Sequence, residues 1–222
     1  MDLHPTYYLK EGYSQCQEYL QYDDTKWTDE FQDHVYKLAL EEFNEECKKR
    51  ENILFLSVTD LGCGSGFKLM KYFGDCNTLG IDLEPNISHA REAYRHLNEI
   101  PLSCNWHQWL RFTVQPFSAI QLLHRIWNHN FLICSDTLEH AQNPDLLMDL
   151  MVASNAERIV LSTPIRDEDE ISLFRNGPPR NIYHLREWTF EEFAQYVGQF
   201  LQVEKHLIVE EVHQVMVCRQ KE

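Results

Sequence analysis

The stretch Val58-Thr59-Asp60-Leu61-Gly62-Cys63-Gly64-Ser65-Gly66 joins an apolar run to three glycines at alternate positions. The run begins at Phe55 and stops abruptly at Leu61, which predicts a buried parallel strand that turns sharply into a helix. Glycines permit positive φ and carry no Cβ, so backbone N–H groups can approach a ligand at the positive end of that helix. The stretch therefore predicts a cofactor site at the end of the first strand.

The rest of the chain alternates predicted strands and helices. A helix is predicted from Thr28 to the basic end Lys48-Lys49-Arg50, and a capping box predicts another that starts at Thr189. Later strands are predicted at 78–82, 131–134 and 158–162, the last stopped by Thr163-Pro164, and two β-rich runs close the chain at 201–210 and 213–219. This order predicts an α/β, doubly wound sheet with helices on both faces and ligands at the C-terminal strand ends.

Length and composition predict one domain over residues 1–222, with an N-terminal arm at 1–27 and an active-site loop at 165–187. The formal charge of 20 − 35 = −15 makes a long nucleic acid an unfavourable partner, but it is compatible with a nucleotide or a sugar. The sequence has no long apolar run and no CxxC pair, so we expect no membrane partner and a reducing cytoplasm. We expect a monomer or a homodimer.

The spacing of the glycines narrows the choice of cofactor. Phe67 stands where a dinucleotide fingerprint has its third glycine, and no Gly-Lys-Ser/Thr ending follows, so NAD is disfavoured and a P-loop is excluded. Asp82, at the end of the second strand, can accept hydrogen bonds from both ribose hydroxyls of an adenosine. Asp60 can set the loop or meet a cationic amino group. The pattern thus favours an adenosine cofactor with a charged tail.

Three ordered motifs carry a resemblance: Asp60 to Gly66, then Gly80-Ile81-Asp82, then Ser135-Asp136-Thr137-Leu138-Glu139-His140. Together they resemble a class I S-adenosylmethionine-dependent methyltransferase. The resemblance implies a Rossmann-like, seven-stranded sheet whose last strand is antiparallel, with S-adenosylmethionine over the glycine loop. It departs from the family after strand three, where 105–111 has no Asp or Glu for the adenine and only Asn105 or Gln108 could substitute. The cofactor-binding residues it implies are Asp60, Gly62, Cys63, Gly64, Gly66, Asp82, Leu83 and Ser135.

A second group of side chains follows the fourth strand. If that segment forms a helical turn, Asp136, Glu139 and His140 share one face, and His184 from the long loop could fold over them. Carboxylates with one or two imidazoles suit Mn²⁺ or Mg²⁺. We therefore predict metal ligation by Asp136, Glu139, His140 and His184, with Asp136, His140 and His184 as catalytic residues. A metal-free catalytic role for His140, or a structural role, is the alternative.

This D/E-x-x-E-H pattern with a later His resembles the metal site of small-RNA 3′-terminal 2′-O-methyltransferases, and its first part resembles ubiquinone-pathway O-methyltransferases. The segment 176–189 resembles a motif of methyltransferases that accompany glycan-building enzymes. Arg175, Arg180 and Arg186 would add a basic mouth for a phosphate or carboxylate on the acceptor.

The leading hypothesis is a metal-assisted O-methyltransferase whose acceptor is a hydroxyl of a sugar or glycan, with or without a phosphate. The alternatives are a metal-independent methyltransferase of a phenol or quinone precursor and a non-catalytic module that binds S-adenosylmethionine. Methylation of an RNA terminus is disfavoured by the charge of −15.

Overall fold

The computed structural model describes residues 32–49, 57–83, 85–95, 111–113, 130–141, 143–166, 179, 181 and 183–222, and only the backbone of 111–113. The N-terminal arm at 1–27, the start of the first helix predicted at Thr28, and the candidate adenine contacts Asn105 and Gln108 lie outside these ranges. So does most of the predicted active-site loop, including Arg175 and Arg180.

Helices and strands alternate along the described chain. The helices are α1 (Asp33–Lys48), α2 (Phe67–Phe73), α3 (Asn86–Ala93), α4 (Pro144–Ala153) and α5 (Phe190–Phe200). The strands are β1 (Ser57–Leu61), β2 (Asn77–Ile81), β3 (Arg111–Thr113), β4 (Phe131–Ser135), β5 (Arg158–Pro164), β6 (Gln202–Val209) and β7 (His213–Arg219). A short 3₁₀ turn, Leu138–His140, follows β4.

The strands form one mixed sheet in the order β3-β2-β1-β4-β5-β7-β6. The pairs from β3 to β5 are parallel, whereas β7 runs antiparallel to both β5 and β6. The predicted α/β class is therefore confirmed. Because the carboxyl ends of the parallel strands meet at one edge, the glycine loop, Asp82 and the turn after β4 lie at that edge.

Two apolar cores cover the two faces of the sheet. One core packs α1, α2 and α3 against Val58, Ile133 and Val160, and the other packs α4 and α5 against Leu132 and Leu161. Consecutive strand residues alternate between the two cores because side chains of a strand point to opposite faces in turn. Helices therefore lie on both faces, as the sequence predicts, and none in the described ranges is long and apolar enough to cross a bilayer.

Local signals fix several helix starts correctly. Thr189 accepts a hydrogen bond from the backbone N–H of Glu192, whose side chain accepts one from the backbone N–H of Thr189, so the predicted capping box is confirmed. Asn143 caps α4 by accepting from the Asp145 N–H at 3.1 Å.

The predicted end of β5 is wrong. Thr163 and Pro164 do not stop the strand, because both pair with the antiparallel β7, in which Gln214 and His213 are their partners. A proline is tolerated at the end of a strand, where its missing N–H costs little. The longer β5 carries Ser162 and Thr163 to the edge where the site lies.

Candidate cofactor and metal site

The glycine loop has the backbone that its sequence predicts. Gly62, Gly64 and Gly66 have φ of 80°, 55° and 76°, in the region that side chains rarely adopt. The Gly62 N–H donates to the Ile81 carbonyl at 2.8 Å, which ties the loop to the end of β2. A Cβ on Gly62 would lie 2.1 Å from Oγ1 of Thr137, so the loop is also in close contact with the turn after β4.

Asp82, at the end of β2, accepts hydrogen bonds from this loop. Its Oδ2 accepts from the Gly64 N–H at 2.7 Å, and its Oδ1 accepts from the Leu83 N–H at 2.6 Å and the Asn86 amide at 3.2 Å. Burial raises the pKa of Asp82, although these donors oppose the shift. Because a carboxylate offers about four lone-pair sites, Asp82 retains capacity for a further donor such as a ribose hydroxyl.

The other predicted cofactor residues flank the loop. Asp60 is fully buried and accepts a hydrogen bond from the Tyr36 hydroxyl at 2.8 Å, which connects β1 to α1. Cys63 is buried within the loop, and the Ser135 hydroxyl lies 3.2 Å from that of Ser162. The structure thus gathers these side chains at the carboxyl ends of β1, β2 and β4, where an open α/β sheet binds its ligands.

Beside the loop, Glu139, His140 and His184 come together, and their ligand atoms lie within 4.8 Å of one another. The His140 Nε2 is 3.9 Å from the Glu139 Oε1, and the centroids of the two imidazoles are 4.9 Å apart. Three of the four predicted metal ligands are therefore neighbours, although they come from the turn after β4 and from a segment more than forty residues later.

Hydrogen bonds fix the orientation and the tautomer of the two imidazoles. The Nδ1 of His140 lies 2.8 Å from the Tyr183 carbonyl, and the Nδ1 of His184 lies 2.7 Å from a carboxylate oxygen of Glu187. Both partners only accept, so each Nδ1 carries the proton and each Nε2 has a lone pair, which in His184 accepts a hydrogen bond from the Asn181 amide at 2.9 Å. Metal-ligating histidines are held in the same way by an acceptor on the distal nitrogen.

Burial controls the charge of the group. Glu139 is fully buried; its Oε2 accepts from Thr163 at 3.2 Å, but its Oε1 has no hydrogen-bond partner among the described residues. Burial and the charge of Asp136 raise the pKa of Glu139 well above its ordinary value, whereas burial and His184 lower the pKa of His140 to about 4. A buried carboxyl oxygen that lacks a donor among the described residues, next to two imidazoles, fits a divalent cation.

Asp136, the fourth predicted ligand, lies outside this group. Its φ is 45°, and the segment after it is a 3₁₀ turn instead of an α-helical one, so the shared face predicted for Asp136, Glu139 and His140 does not form. The Asp136 carboxylate pairs instead with the Nε2 of His213 at 3.0 Å. Sequence reasoning missed His213, and the only signal for it was its position at the start of the antiparallel β7.

The segment that carries His184 is fixed to the turn after β4. The Leu185 N–H donates to the Glu139 carbonyl at 2.8 Å, and the Arg186 guanidinium donates to the carbonyls of Leu138 and Ala141. Arg186 is buried, so its predicted place in a basic mouth for the acceptor is wrong. Its charge serves the backbone at the end of the turn, where the chain stops being helical and carbonyls accept from side chains.

Comparison with known proteins finds similarity in structure alone. No protein-family model matches the chain, and no curated protein matches it. Among solved structures, magnesium protoporphyrin IX methyltransferase from Synechocystis PCC 6803 with bound SAH has a TM-score of 0.58 at 12% identity, covering 88% of this chain and 89% of that one.

Two further similar structures are those of a bacterial methyltransferase domain and a small RNA methyltransferase. The methyltransferase domain of bacterial CtHen1 has a TM-score of 0.56 at 17% identity, covering 83% of this chain and 99% of that one. The small RNA methyltransferase HEN1 has a TM-score of 0.63 at 19% identity, covering 93% of this chain but 27% of that one. At such identities the likeness establishes architecture, and the chain has the class I fold of S-adenosylmethionine-dependent methyltransferases.

Proposed function

We propose that this chain is an S-adenosylmethionine-dependent O-methyltransferase, assisted by Mn²⁺ or Mg²⁺, that methylates a hydroxyl of a sugar or glycan. The observation that carries the proposal is the group Glu139, His140 and His184 at the same sheet edge as the glycine loop. A cofactor cradle and a candidate cation site next to each other suit the activation of a poor nucleophile beside a methyl donor.

The residues of the cradle have separable tasks. The cofactor supplies a methyl group on a sulfonium, and the N–H groups of the glycine loop can approach it because no Cβ stands between them. Asp82 is positioned to accept from the ribose, and it also holds Gly64 in place. Asp60 fixes the start of the loop through Tyr36. These contacts orient the donor, so that transfer needs only in-line approach of the acceptor oxygen.

The residues of the second group would hold the cation. Glu139 would supply a carboxylate oxygen, and His140 and His184 would supply Nε2 lone pairs while Tyr183 and Glu187 fix the orientation of the rings. In His184 the ion would replace the Asn181 amide, which contacts Nε2 at 2.9 Å. A divalent ion there would lower the pKa of an acceptor hydroxyl and stabilise the alkoxide that develops. The neutral state of His140 keeps its lone pair available at neutral pH.

A sugar acceptor is favoured by the chemistry and by the charge. An alcohol hydroxyl needs such activation, whereas a phenol ionises far more readily. The segment 176–189, which resembles the motif of glycan-associated methyltransferases, contributes His184 and the buried Arg186. One similar structure is described as a small RNA methyltransferase, but a formal charge of −15 provides little attraction for an RNA strand.

An acceptor screen tests the proposal. The purified chain is incubated with methyl-labelled cofactor and with free sugars, sugar phosphates, short glycans, a phenol and a short RNA, in Mn²⁺, Mg²⁺ or chelator. We expect a methyl ether on a sugar that requires the ion and is lost in Glu139→Gln, whereas the exposed control Glu191→Gln retains activity. Full turnover in chelator would remove the metal from the proposal, transfer only to the phenol or RNA would replace the acceptor, and cofactor binding without transfer would indicate a non-catalytic module.

A further inference from the structure

The two carboxylates that follow β4 contact opposite sides of the same strand. Ser162 and Thr163 are consecutive in β5, so their side chains point to opposite faces of the sheet. The Ser162 hydroxyl donates to Asp136 Oδ1 at 2.6 Å, and the Thr163 hydroxyl donates to Glu139 Oε2 at 3.2 Å. The end of β5 therefore separates Asp136 from Glu139, which have only two residues between them in sequence.

On the side of α1, Asp136 has a full set of donors. Besides Ser162, the Gln32 amide donates to Oδ2 at 3.0 Å and His213 Nε2 contacts Oδ2 at 3.0 Å. The side chains of Asp136 and His213 are only 6% and 4% exposed. His34 of α1 stacks at 4.7 Å from the His213 ring, and Glu210 lies 3.4 Å from His34. The protein thus supplies the donors of Asp136, and although burial opposes the shift, the Asp136 carboxylate raises the pKa of His213.

On the other side of β5, Glu139 has no such partner. Among the described residues its single side-chain donor is the neutral Thr163 hydroxyl, and its Oε1 faces His140 Nε2 at 3.9 Å. A fully buried carboxyl group either keeps its proton or, when ionised, requires a compensating charge, since desolvation of an ion costs several kcal/mol. Of the two carboxylates, Glu139 alone therefore has a place for a cation.

We infer that a cation in this chain is held by Glu139, His140 and His184 without Asp136, and that His213 is a positioning residue that keeps Asp136 out of the ligand set. This inference rests on the metal role in the proposed function. With three protein ligands, more coordination positions are open to oxygens of the acceptor or to water, as in catalytic metal sites. A single carboxylate also leaves a divalent site with a net positive charge, which suits a developing alkoxide.

Binding of Mn²⁺ to the full chain without cofactor tests the ligand set, with free Mn²⁺ measured by its paramagnetic resonance signal. Asp136→Asn keeps the Mn²⁺ affinity within about twofold, whereas Glu139→Gln lowers it by more than about 100-fold, beyond the usual effect of an outer-shell change. The matched control is Asp33→Asn. It removes another nearly buried carboxylate, which lies on α1 and pairs with Lys71 of α2, and it should leave the Mn²⁺ affinity unchanged. A loss of tenfold or more in Asp136→Asn overturns the inference.

Removal of His213 gives a result that structural damage cannot imitate. In His213→Leu, Asp136 loses its positive partner and becomes available to the cation, so the Mn²⁺ affinity rises by about five- to tenfold, an ordinary coupling between two sites. The double variant His213→Leu/Asp136→Asn returns to the wild-type affinity. Thermal unfolding of each variant reports whether it folds. If His213→Leu does not fold, the Mn²⁺ affinity of Asp136→Asn still tests the inference.

The outcomes separate the two levels of the proposal. If the wild type does not bind Mn²⁺, the metal role in the proposed function fails and the inference fails with it. If the wild type binds and Asp136→Asn loses the ion, the metal role stands and only the inference is overturned. An unchanged affinity in His213→Leu shows that His213 does not control Asp136, which overturns its positioning role.

Discussion

At the scale of single residues, Gly62 joins the cofactor loop to the candidate metal site. At its φ of 80°, a residue with a side chain would have a strained backbone. A Cβ there would lie 2.1 Å from the hydroxyl of Thr137, which directly precedes the 3₁₀ turn. We expect Gly62→Ala to lower the affinity for S-adenosylhomocysteine by more than tenfold, since backbone strain of about 1–3 kcal/mol is added to a steric clash. Titration calorimetry measures this loss.

The matched control is Gly198, in the last turn of α5, where an added Cβ would meet nothing within 4 Å. Gly198→Ala removes a poor helix former, so we expect unchanged cofactor affinity and a gain in the free energy of unfolding of up to about 1 kcal/mol. If both alanine variants bind the cofactor like the wild type, the glycine loop is not the cofactor cradle.

His140 predicts how the stability of the metal-free protein depends on pH. Burial, with the charge of His184, lowers its pKa to about 4 from the roughly 6.5 expected in the unfolded chain. The folded chain therefore binds fewer protons than the unfolded chain, and stability present above pH 6.5 is lost as the pH falls towards 4. From pH 7.5 to 4.5, we expect this residue to account for a loss of roughly 2–3 kcal/mol.

Urea unfolding in chelator at both pH values, in the wild type and in His140→Gln, isolates this contribution. The remaining titrating groups are common to the two proteins, so their effect cancels in the difference between the two losses. The wild type should lose more stability on acidification than the variant. Equal losses would contradict the burial of a neutral imidazole at this position.

At the scale of elements, the turn after β4 and the segment around His184 form one unit. Arg186 donates to the carbonyls of Leu138 and Ala141, and the Leu185 N–H donates to the carbonyl of Glu139. We expect Arg186→Met to lower Mn²⁺ affinity by about 10- to 100-fold without removing a ligand, because the two histidines lose their relative positions. Equilibrium Mn²⁺ binding and methyl transfer both report the effect.

Arg95→Met serves as the control for Arg186→Met, since Arg95 is 70% exposed at the end of α3. It should leave the affinity for Mn²⁺ and the stability unchanged, because an exposed ion pair contributes about 1 kcal/mol or less. An unchanged affinity in Arg186→Met would show that the His184 segment holds its place without the guanidinium.

The sequence predicted those elements whose signals are local. The glycine loop, the Asn143 cap and the Thr189 capping box each depend on residues a few positions apart, and each forms as predicted. The direction of Asp136 depends on His213, which reaches it only because β7 returns antiparallel to β5 and pairs with Pro164. No periodicity in the sequence encodes such a pairing. The sequence-based prediction assumed an α-helical turn after β4 and therefore wrongly placed Asp136 beside Glu139 and His140.

At the scale of the whole molecule, the two ends of the sheet differ in their chemistry. The carboxyl ends of the parallel strands carry the cofactor and cation candidates, whereas the opposite end carries an ion network centred on Arg158, the first residue of β5. Arg158 contacts Glu46 at 2.7 Å and Glu42 at 3.7 Å, both on α1, and Glu204 on β6. One side chain therefore connects three elements that lie far apart in sequence.

We expect Arg158→Met to cost about 1.5–3 kcal/mol in the free energy of unfolding, because it removes hydrogen bonds between charged groups at a buried site. The cost stays in this range because Glu46, Glu42 and Glu204 keep Lys49, Lys205 and Arg219 as partners. Arg219→Met is the control: Arg219 contacts Glu204 at 2.5 Å but is 46% exposed, so its loss should cost less than about 1 kcal/mol. Urea unfolding measures both. Since the network lies at the end of the sheet away from His184, Arg158→Met should leave Mn²⁺ affinity unchanged wherever the protein is folded. A large loss of affinity with little loss of stability would mean that α1 transmits changes across the sheet, through Gln32 and Asp136, to the candidate metal site.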